Sequence, residues 1–554
     1  MNRSAALYSK LALAEVWRLI SLIDRNPHSP TRGSLSRTHW AWKFEDFPFP
    51  RMQEGVYALC RLYHLEDPDN PLFHSEDAGK WIEWGFEYWL TRQHRNGSFD
   101  EAYPNEQCLA ATAFTTFYLG SAYRLHKEHL PAALRERLEE SFKSAGEWLC
   151  RNDETHGLLS NHLAVAVAGL AVMQQICLRP DFGKRAQFFL DRIFAHQSSE
   201  GWMQEYDGAD IGYGTHGFFY LAVYWQITGC RQTLDALSRF AEFLRYFVHP
   251  DGTIGGEYSS RNTEFFYPAG FEILSAHCPH SQAIAAWMRG AMTEKRPCGL
   301  WAMDAFNFMP LLNNMLFCCD AARELPSPSS LPWQEAPFAR IYEKAGLWVI
   351  NTEHYYAVIG LSKGGTVSVF DKARQVLAAR HSGYFVHWRG KTYASQDFTL
   401  EPEIRWSADR SSAELSAPWK VVNHTVFTPM LFLAFRVFTL TLGRFPAVSR
   451  WVKNLLVKVL IRRKQRPPIR HGRKIIVGDR GIQIVDEISL PPGIAEITSA
   501  AQFTAIHMGS SMYPDVRALC GSTQALNVPV KEGKTVRMET MLSLQGVAWK
   551  DSEA

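Results

Sequence analysis

Over residues 1–325, apolar positions recur at three- and four-residue spacing, as in Trp81, Trp84, Tyr88 and Trp89. This is the signature of helices with one buried face. Residues 1–24 read as a single amphipathic helix ended by the breaker cluster Asn26-Pro27-His28-Ser29-Pro30, and a further helix is expected over Gly55–His64. After a Pro- and Ser-rich stretch the period changes to two. Leu347-Trp-Val-Ile-Asn351, Tyr355–Leu361, Thr366–Phe370 and Tyr384–Trp388 read as strands, as do Lys474–Val477, Ile482–Val485 and Ala495–Thr498. The expected architecture is α+β and multidomain: a helical domain at 1–325, a linker at 326–336 and an antiparallel β-sandwich at 337–554.

The loops between helices repeat. Glycines stand at 97, 157, 201 and 252, each followed by a polar run and then by an apolar helix. A period near fifty residues is one helical hairpin with its loops. Stacked in a ring, such hairpins form an (α/α) toroid whose inner helices all open their N-termini on one face. Free N–H groups and the helix dipole there favour an anionic ligand long enough to touch several loops. The alternative is an open helical solenoid whose loops bind a protein. The densest loop is Glu200–His216, which holds Glu205, Tyr206, Asp207, Asp210, Tyr213 and His216.

One segment breaks the strand pattern. From Leu415 to Gly478 there is no Asp or Glu, but there are 13 Lys or Arg. Within it, Val426–Leu442 is strongly apolar and Arg450–Lys464 reads as a basic amphipathic helix. Residues 424–467 are therefore expected to form a basic helical insertion in the sandwich, with 426–466 lying on an anionic membrane surface. The alternative is an insertion packed on the sandwich with a solvated basic face.

The net charge of the 554-residue chain is +3, which gives no case for nucleic acid. The ten cysteines show neither CxxC nor metal-ligand spacing, and most fall in apolar helical runs. Lys10, Glu15 and Arg18 interrupt the first apolar stretch, which is not the pattern of a signal peptide. A cytoplasmic protein, peripheral at the inner membrane, is expected. No cofactor is expected, and a divalent ion is left open.

Three local stretches carry a resemblance. Leu159-Ser-Asn161-His162-Leu-Ala164 leads to Gly169-Leu170, Glu205 to Tyr213 follows downstream, and Ser362-Lys-Gly-Gly365 precedes Arg380-His381-Ser-Gly-Tyr384. With the domain order, these make the chain similar to the heparinase II/III-like polysaccharide lyases, an α/α toroid followed by a β-sandwich. The resemblance implies β-elimination on a uronic-acid polysaccharide in extracellular or capsular polysaccharide metabolism. It implies Asn161 and His162 at the start of an inner helix, Tyr213 as the catalytic Tyr and His381 from the sandwich.

Such a reaction needs donors that hold the uronate carboxylate, a base for the C5 proton and an acid for the departing O4. Asn161 is the expected carboxylate donor and Tyr213 the acid or base. His162 is expected as base or as a second donor, and Glu205 as a proton-sharing partner. Arg261 suits a second carboxylate. Asn262, Glu257, Asp210, Glu101 and Gln53 complete the expected substrate-binding set, with Trp202 and Trp42 as sugar platforms. Three other functions fit the same residues: a uronosyl C5-epimerase of lipid-linked glycan, an inverting glycosidase using Asp100 or Glu101 with Asp207 or Asp210, and a non-catalytic glycan-binding scaffold.

Overall fold

The structure, a computed structural model, describes residues 2–42, 45–154, 157–206, 208–297, 299–326, 328–422, 428–456, 466–499, 527–529 and 535–552. The chain opens with α1 (Arg3–Leu13), α2 (Val16–Leu22) and α3 (Arg37–Trp40). There are thus two helices where the sequence reads as one. They break at Ala14 and Glu15, so that α2 turns and Arg18 bonds the Leu300 carbonyl. Then follow α4 (Gly55–Tyr63), α5 (Glu76–Arg92), α6 (Leu109–His126), α7 (Ala132–Arg151), α8 (Ser160–Cys177) and α9 (Pro180–Ala195). A two-strand ribbon, β1 (Gln204–Glu205) and β2 (Gly208–Ala209), precedes α10 (Ile211–Thr228), α11 (Arg231–Leu244), α12 (Ala269–Leu274), α13 (Pro279–Thr293) and α14 (Ala305–Ala321).

Two kinds of helix alternate. Along α8 every side chain from Leu163 to Met173 is buried, and along α10 every one from Gly214 to Tyr224. By contrast, α11 buries one stripe containing Thr233, Ala236, Leu237, Phe240 and Leu244. The fully buried helices form an inner ring in which α4 packs on α6, α6 on α8, α8 on α10, α10 on α12, α12 on α14 and α14 back on α4. Outside them lie α5, α7, α9, α11 and α13, and α1 fills the remaining outer place against α13 and α14. The ring is closed, so the open solenoid is excluded.

The repeating glycines fasten this ring. After α5, Gly97 N–H bonds the His94 carbonyl and His94 N–H bonds Ser98. The same turn recurs at Ser198–Trp202 after α9 and at His249–Thr253. Gly97 has φ +94°, and a Cβ there would stand 2.1 Å from the Ser144 carbonyl oxygen on α7. Gly201 has φ +99°, with its Cβ position 2.4 Å from the Arg239 oxygen on α11. Only glycine permits that approach. A glutamine completes each joint: Gln93 Nε2 donates to Gly97 O and Ser141 O, and Gln197 Nε2 to Gly201 O and Ala236 O.

Next come β3 (Phe338–Tyr342), β4 (Leu347–Asn351), β5 (Tyr355–Gly360), β6 (Thr366–Asp371) and β7 (Val376–His381), an antiparallel meander in sequence order. Strands β8 (Tyr384–Trp388), β9 (Lys391–Ala394), β10 (Ile404–Trp406), β11 (Ser412–Ser416) and β12 (Lys420–Val421) precede two further helices, α15 (Pro429–Leu440) and α16 (Pro446–Leu456). The remaining described strands are β13 (Arg470–Gly478), β14 (Gly481–Ser489), β15 (Glu496–Ser499), β16 (Asn527–Pro529), β17 (Thr535–Ser543) and β18 (Gly546–Ser552). They form two more antiparallel sheets, ordered β10-β11-β13-β14-β17-β18 and β12-β9-β8-β15-β16.

Strands β4 and β5 are buried on both faces. Trp348, Ile350 and Ile359 pack with Ile475, Ile484 and Leu542 of the second sheet. On the other face, Val349, Tyr356 and Val358 join the toroid core, and Tyr356 Oη donates to the Tyr246 carbonyl at 2.5 Å. Their near-continuous apolar sequence reflects this double cover. The second half of the sequence-expected basic helix, 457–464, lies outside the described residues, as does Asp207.

Candidate active site

The inner helices α4, α6, α8 and α10 bring their preceding loops to one face of the toroid. Asn161 and His162 lie in the first turn of α8. Leu159 bridges to Glu205 in β1, and the position of a Gly217 Cβ is 3.5 Å from Asn161 Cα, so α8 and α10 meet at this point. Asn161 holds Glu205 twice: its backbone N and its Nδ2 each stand 2.7 Å from a carboxylate oxygen. Burial still dominates, and the Glu205 carboxyl is pushed up to about 8 against those hydrogen bonds. Glu205 is therefore protonated at neutral pH.

His162 Nδ1 lies 2.8 Å from Glu154 Oε2. A carboxylate accepts, so Nδ1 carries the proton and the Nε2 lone pair is left for other work. Tyr213 is in the first turn of α10, its N–H capped by Asp210 and its ring edge-on to Phe265. Burial first, and Tyr206 second, push its phenol well above the usual tyrosine range, while Arg261 pulls the other way. Tyr213 thus holds its proton. Arg261 lies flat over Tyr206, 3.7 Å from the ring centroid.

Arg51, one turn before α4, forms the other wall. Its Nε is 2.7 Å from Glu54, its Nη1 is 3.5 Å from Glu101, and its guanidinium stacks 3.9 Å above Phe114. Burial alone would raise the Glu101 carboxyl, but Arg51 and then His162 outweigh it and hold Glu101 below the ordinary range. Beneath this layer His216 Nε2 bonds Tyr220 Oη at 2.7 Å, and burial keeps its imidazole neutral. The arrangement offers a ring nitrogen at His162 Nε2, a protonated phenol at Tyr213 and a protonated carboxyl at Glu205, between the cations Arg51 and Arg261.

Several expected site residues are used elsewhere. Gln53 donates to Gly33 O and Gly85 O and accepts from Leu35 N, so its whole amide staples backbone. Asp210 caps α10 and also accepts from Ser259 Oγ, Arg261 N and Thr263 Oγ1. It builds the loop that carries Arg261 and Asn262. Asn262 is buried with φ +60°. Trp202 is core, its indole N–H on Glu200, whereas Trp42 is 89% exposed. His381 is not brought to the cluster. Its Nδ1 accepts from Gly383 N–H, its Nε2 is 3.2 Å from Tyr384 Oη, and Trp549 packs on it, all within the sandwich.

The sandwich instead presents Lys363. The 395–399 loop lies against the β1–β2 ribbon, where Phe398 fills the space beside Gly208, and Thr399 N–H bonds the Ser362 carbonyl. Lys363 is buried, and its Nζ has no hydrogen-bond partner among the described residues. Burial, then Lys420, push its pKa well below the ordinary lysine range, against the pull of Asp397 and Glu257. The side-chain amide of the neighbouring Gln396 is likewise buried and unpaired. Arg51 and Lys363 were not singled out in the sequence. The position just before an inner helix was the available signal for Arg51, and the Ser-Lys-Gly-Gly turn for Lys363. Among the described residues no group of His, Cys, Asp or Glu is arranged to hold a metal ion.

Residues 45–270 match the model of the ulvan lyase N-terminal domain. In structure the chain is similar to the Streptomyces coelicolor A3 chondroitin AC lyase seen in complex with chondroitin sulphate (TM-score 0.55, 10% identity, covering 91% of this chain and 68% of that one). It is equally similar to a Paenibacillus xanthan lyase (TM-score 0.55, 10% identity), covering 90% of this chain but only 46% of the xanthan lyase. No curated protein matches the sequence significantly. Residues 45–270 are thus similar to the ulvan lyase N-terminal domain, and the chain shares the α/α toroid fold of these polysaccharide lyases.

Proposed function

We propose that the chain cleaves a uronic-acid polysaccharide by β-elimination in the heparinase II/III-like manner, in extracellular or capsular polysaccharide metabolism. The observation that carries this reading is the pair of adjacent residues at the start of α8. Asn161 is locked to a protonated Glu205, and His162 is locked by Glu154 with Nε2 free.

The uronate carboxylate binds at Asn161 and Glu205, where a neutral carboxyl donates to it and lowers the cost of charge building up at C5. His162 Nε2 takes the C5 proton. The C5–H electrons form the C4–C5 double bond, the C4–O4 bond breaks, and Tyr213 gives its proton to O4. Arg261 grips a neighbouring acidic group on the same chain. Ultraviolet absorbance of the unsaturated product, followed over a panel of acidic polysaccharides, tests the reading. A rise with wild type that Tyr213→Phe loses supports it. No rise on any substrate overturns it.

One observation favours a second reading. The helical insertion rests beside the cleft with its apolar side outward, which suits a lipid-linked glycan and hence C5 epimerisation at the cytoplasmic face of a membrane. Solvent deuterium entering C5 without cleavage would select it.

A further inference from the structure

Twenty large apolar side chains are exposed among the described residues, and ten of them fall between 430 and 455. They are Met430, Leu431, Phe432, Leu433, Val437 and Leu440 on α15, Leu442 and Phe445 in the turn, and Trp451 and Leu455 on α16. Met430, Leu433, Val437 and Leu440 are spaced three, four and three apart, one stripe of the helix. That stripe faces outward. The opposite face is the one held by protein: Phe435 meets Tyr103 edge-on at 5.1 Å, Arg436 pairs with Asp46 at 2.7 Å, and Asn105 Nδ2 donates to the Thr439 carbonyl. On α16, Lys453 reaches Glu106 at 2.7 Å and Ser449 bonds the Asn105 carbonyl. The usual polarity of a surface helix is reversed, and a patch of this kind marks a docking surface.

Charge identifies what docks there. No acidic residue occurs from 415 to 478, and Arg444, Arg450, Lys458, Arg462, Arg463 and Lys464 accompany the apolar stripe in sequence. At 1.5 Å per residue, α15 and α16 are each under about 20 Å long, too short for a hydrocarbon core of about 30 Å. No helix among the described residues is long and apolar enough to cross a membrane. Apolar side chains joined in sequence to a basic run that no acidic residue interrupts, on helices too short to span, suit a bilayer surface carrying anionic headgroups.

We infer that α15, α16 and the turn between them dock the protein on the surface of an anionic membrane. The opposite face is fixed to the loop 101–106, whose Glu101 meets Arg51 in the cleft, so docking holds the cleft mouth beside the lipid headgroups. This does not depend on which reaction the cleft performs.

Flotation of the full chain with vesicles of phosphatidylcholine alone, or with about one third phosphatidylglycerol, tests it. Wild type should float with the anionic vesicles, at least about tenfold more than with the neutral ones, and lose most of that binding in high salt. Leu433→Asp/Val437→Asp should abolish flotation, and Arg444→Glu should weaken it. The unfolding temperature and activity on soluble substrate should not change, since Leu433, Val437 and Arg444 are exposed. Absence of flotation with either vesicle, or equal binding to both, would overturn the inference. So would a wild-type dimer that the double substitution makes monomeric, because a second copy would then be the occupant.

Discussion

Glu154 Oε2 stands 2.8 Å from His162 Nδ1, and this contact leaves Nε2 as the nitrogen for the base of the proposed reaction. Glu154→Gln keeps the shape but can present its NH2 group to Nδ1, favouring the opposite tautomer. We expect kcat to fall by about 10–100-fold with KM little changed, the effect seen when an orienting partner is lost. His162→Asn should cost about 10²–10⁴-fold, the span of a general base. Steady-state kinetics on the substrate found by the absorbance assay measure both.

Tyr213→Phe removes the proton that the proposed reaction gives to O4 but retains the ring against Phe265. Turnover should fall by about 10²–10⁴-fold. Binding of oligosaccharide, followed by calorimetry, should remain within a factor of a few. A variant that binds normally and turns over at the wild-type rate would remove Tyr213 from the mechanism.

Glu205 gives a pH dependence of stability. Its folded pKa of about 8 lies above that of an exposed carboxyl, so between roughly pH 4.5 and 8 the native state binds the proton that the unfolded state has lost. Stability contributed by this group is full below that window and falls as pH rises through it, by up to about 1.4 kcal/mol per unit. Glu205→Gln should flatten this part of the profile and be more stable than wild type at pH 9, by urea unfolding at each pH.

Lys363 is an amine buried without a hydrogen-bond partner among the described residues. Lys363→Met should raise the stability of the free protein by about 1–3 kcal/mol, because an unpaired buried polar group costs that much. If Lys363 meets an acidic group of the substrate, KM should rise about tenfold or more at nearly constant kcat. A gain in stability with unchanged KM would assign Lys363 no role in binding.

The joint at Gly97 is tested by Gly97→Ala. A φ of +94° and a Cβ placed 2.1 Å from a backbone oxygen should cost about 3 kcal/mol or more. The loss should appear as a lowered unfolding midpoint. A change below about 1 kcal/mol would mean that the outer helices shift to accept the methyl group.

The two-domain order and the ring were legible because period and repeat survive in a single sequence. The glycines at 97, 201 and 252 recur for a backbone reason, and Asn161 and Tyr213 were visible as polar residues opening long apolar helices. Function and structure could not be separated for polar residues in loops. Gln53 and Asp210 have the same composition cues as a binding residue, yet their hydrogen bonds go to the fold. Arg51 sits in a Pro-rich extended stretch that gives no periodicity, and its partners Glu101 and Phe114 come from another hairpin. Lys363 depends on contacts between domains, which local pattern does not encode. The outward apolar stripe of α15 was legible as apolar, but only its packing shows which side is covered.

The outer ring is completed by α1, which packs on α13 and α14, with Asn2 Nδ2 bonded to the Ala322 carbonyl and Tyr8 Oη to Glu272. The first helix of the ring in chain order is thus a neighbour of the ring's last. During synthesis α1 must wait, its apolar stripe uncovered, until some three hundred more residues have left the ribosome. Long-range closure of this kind is slow, so the folding of the whole ring is set by the arrival of its final hairpin, and a substitution at Tyr8 would be felt in the rate of assembly as much as in the finished molecule.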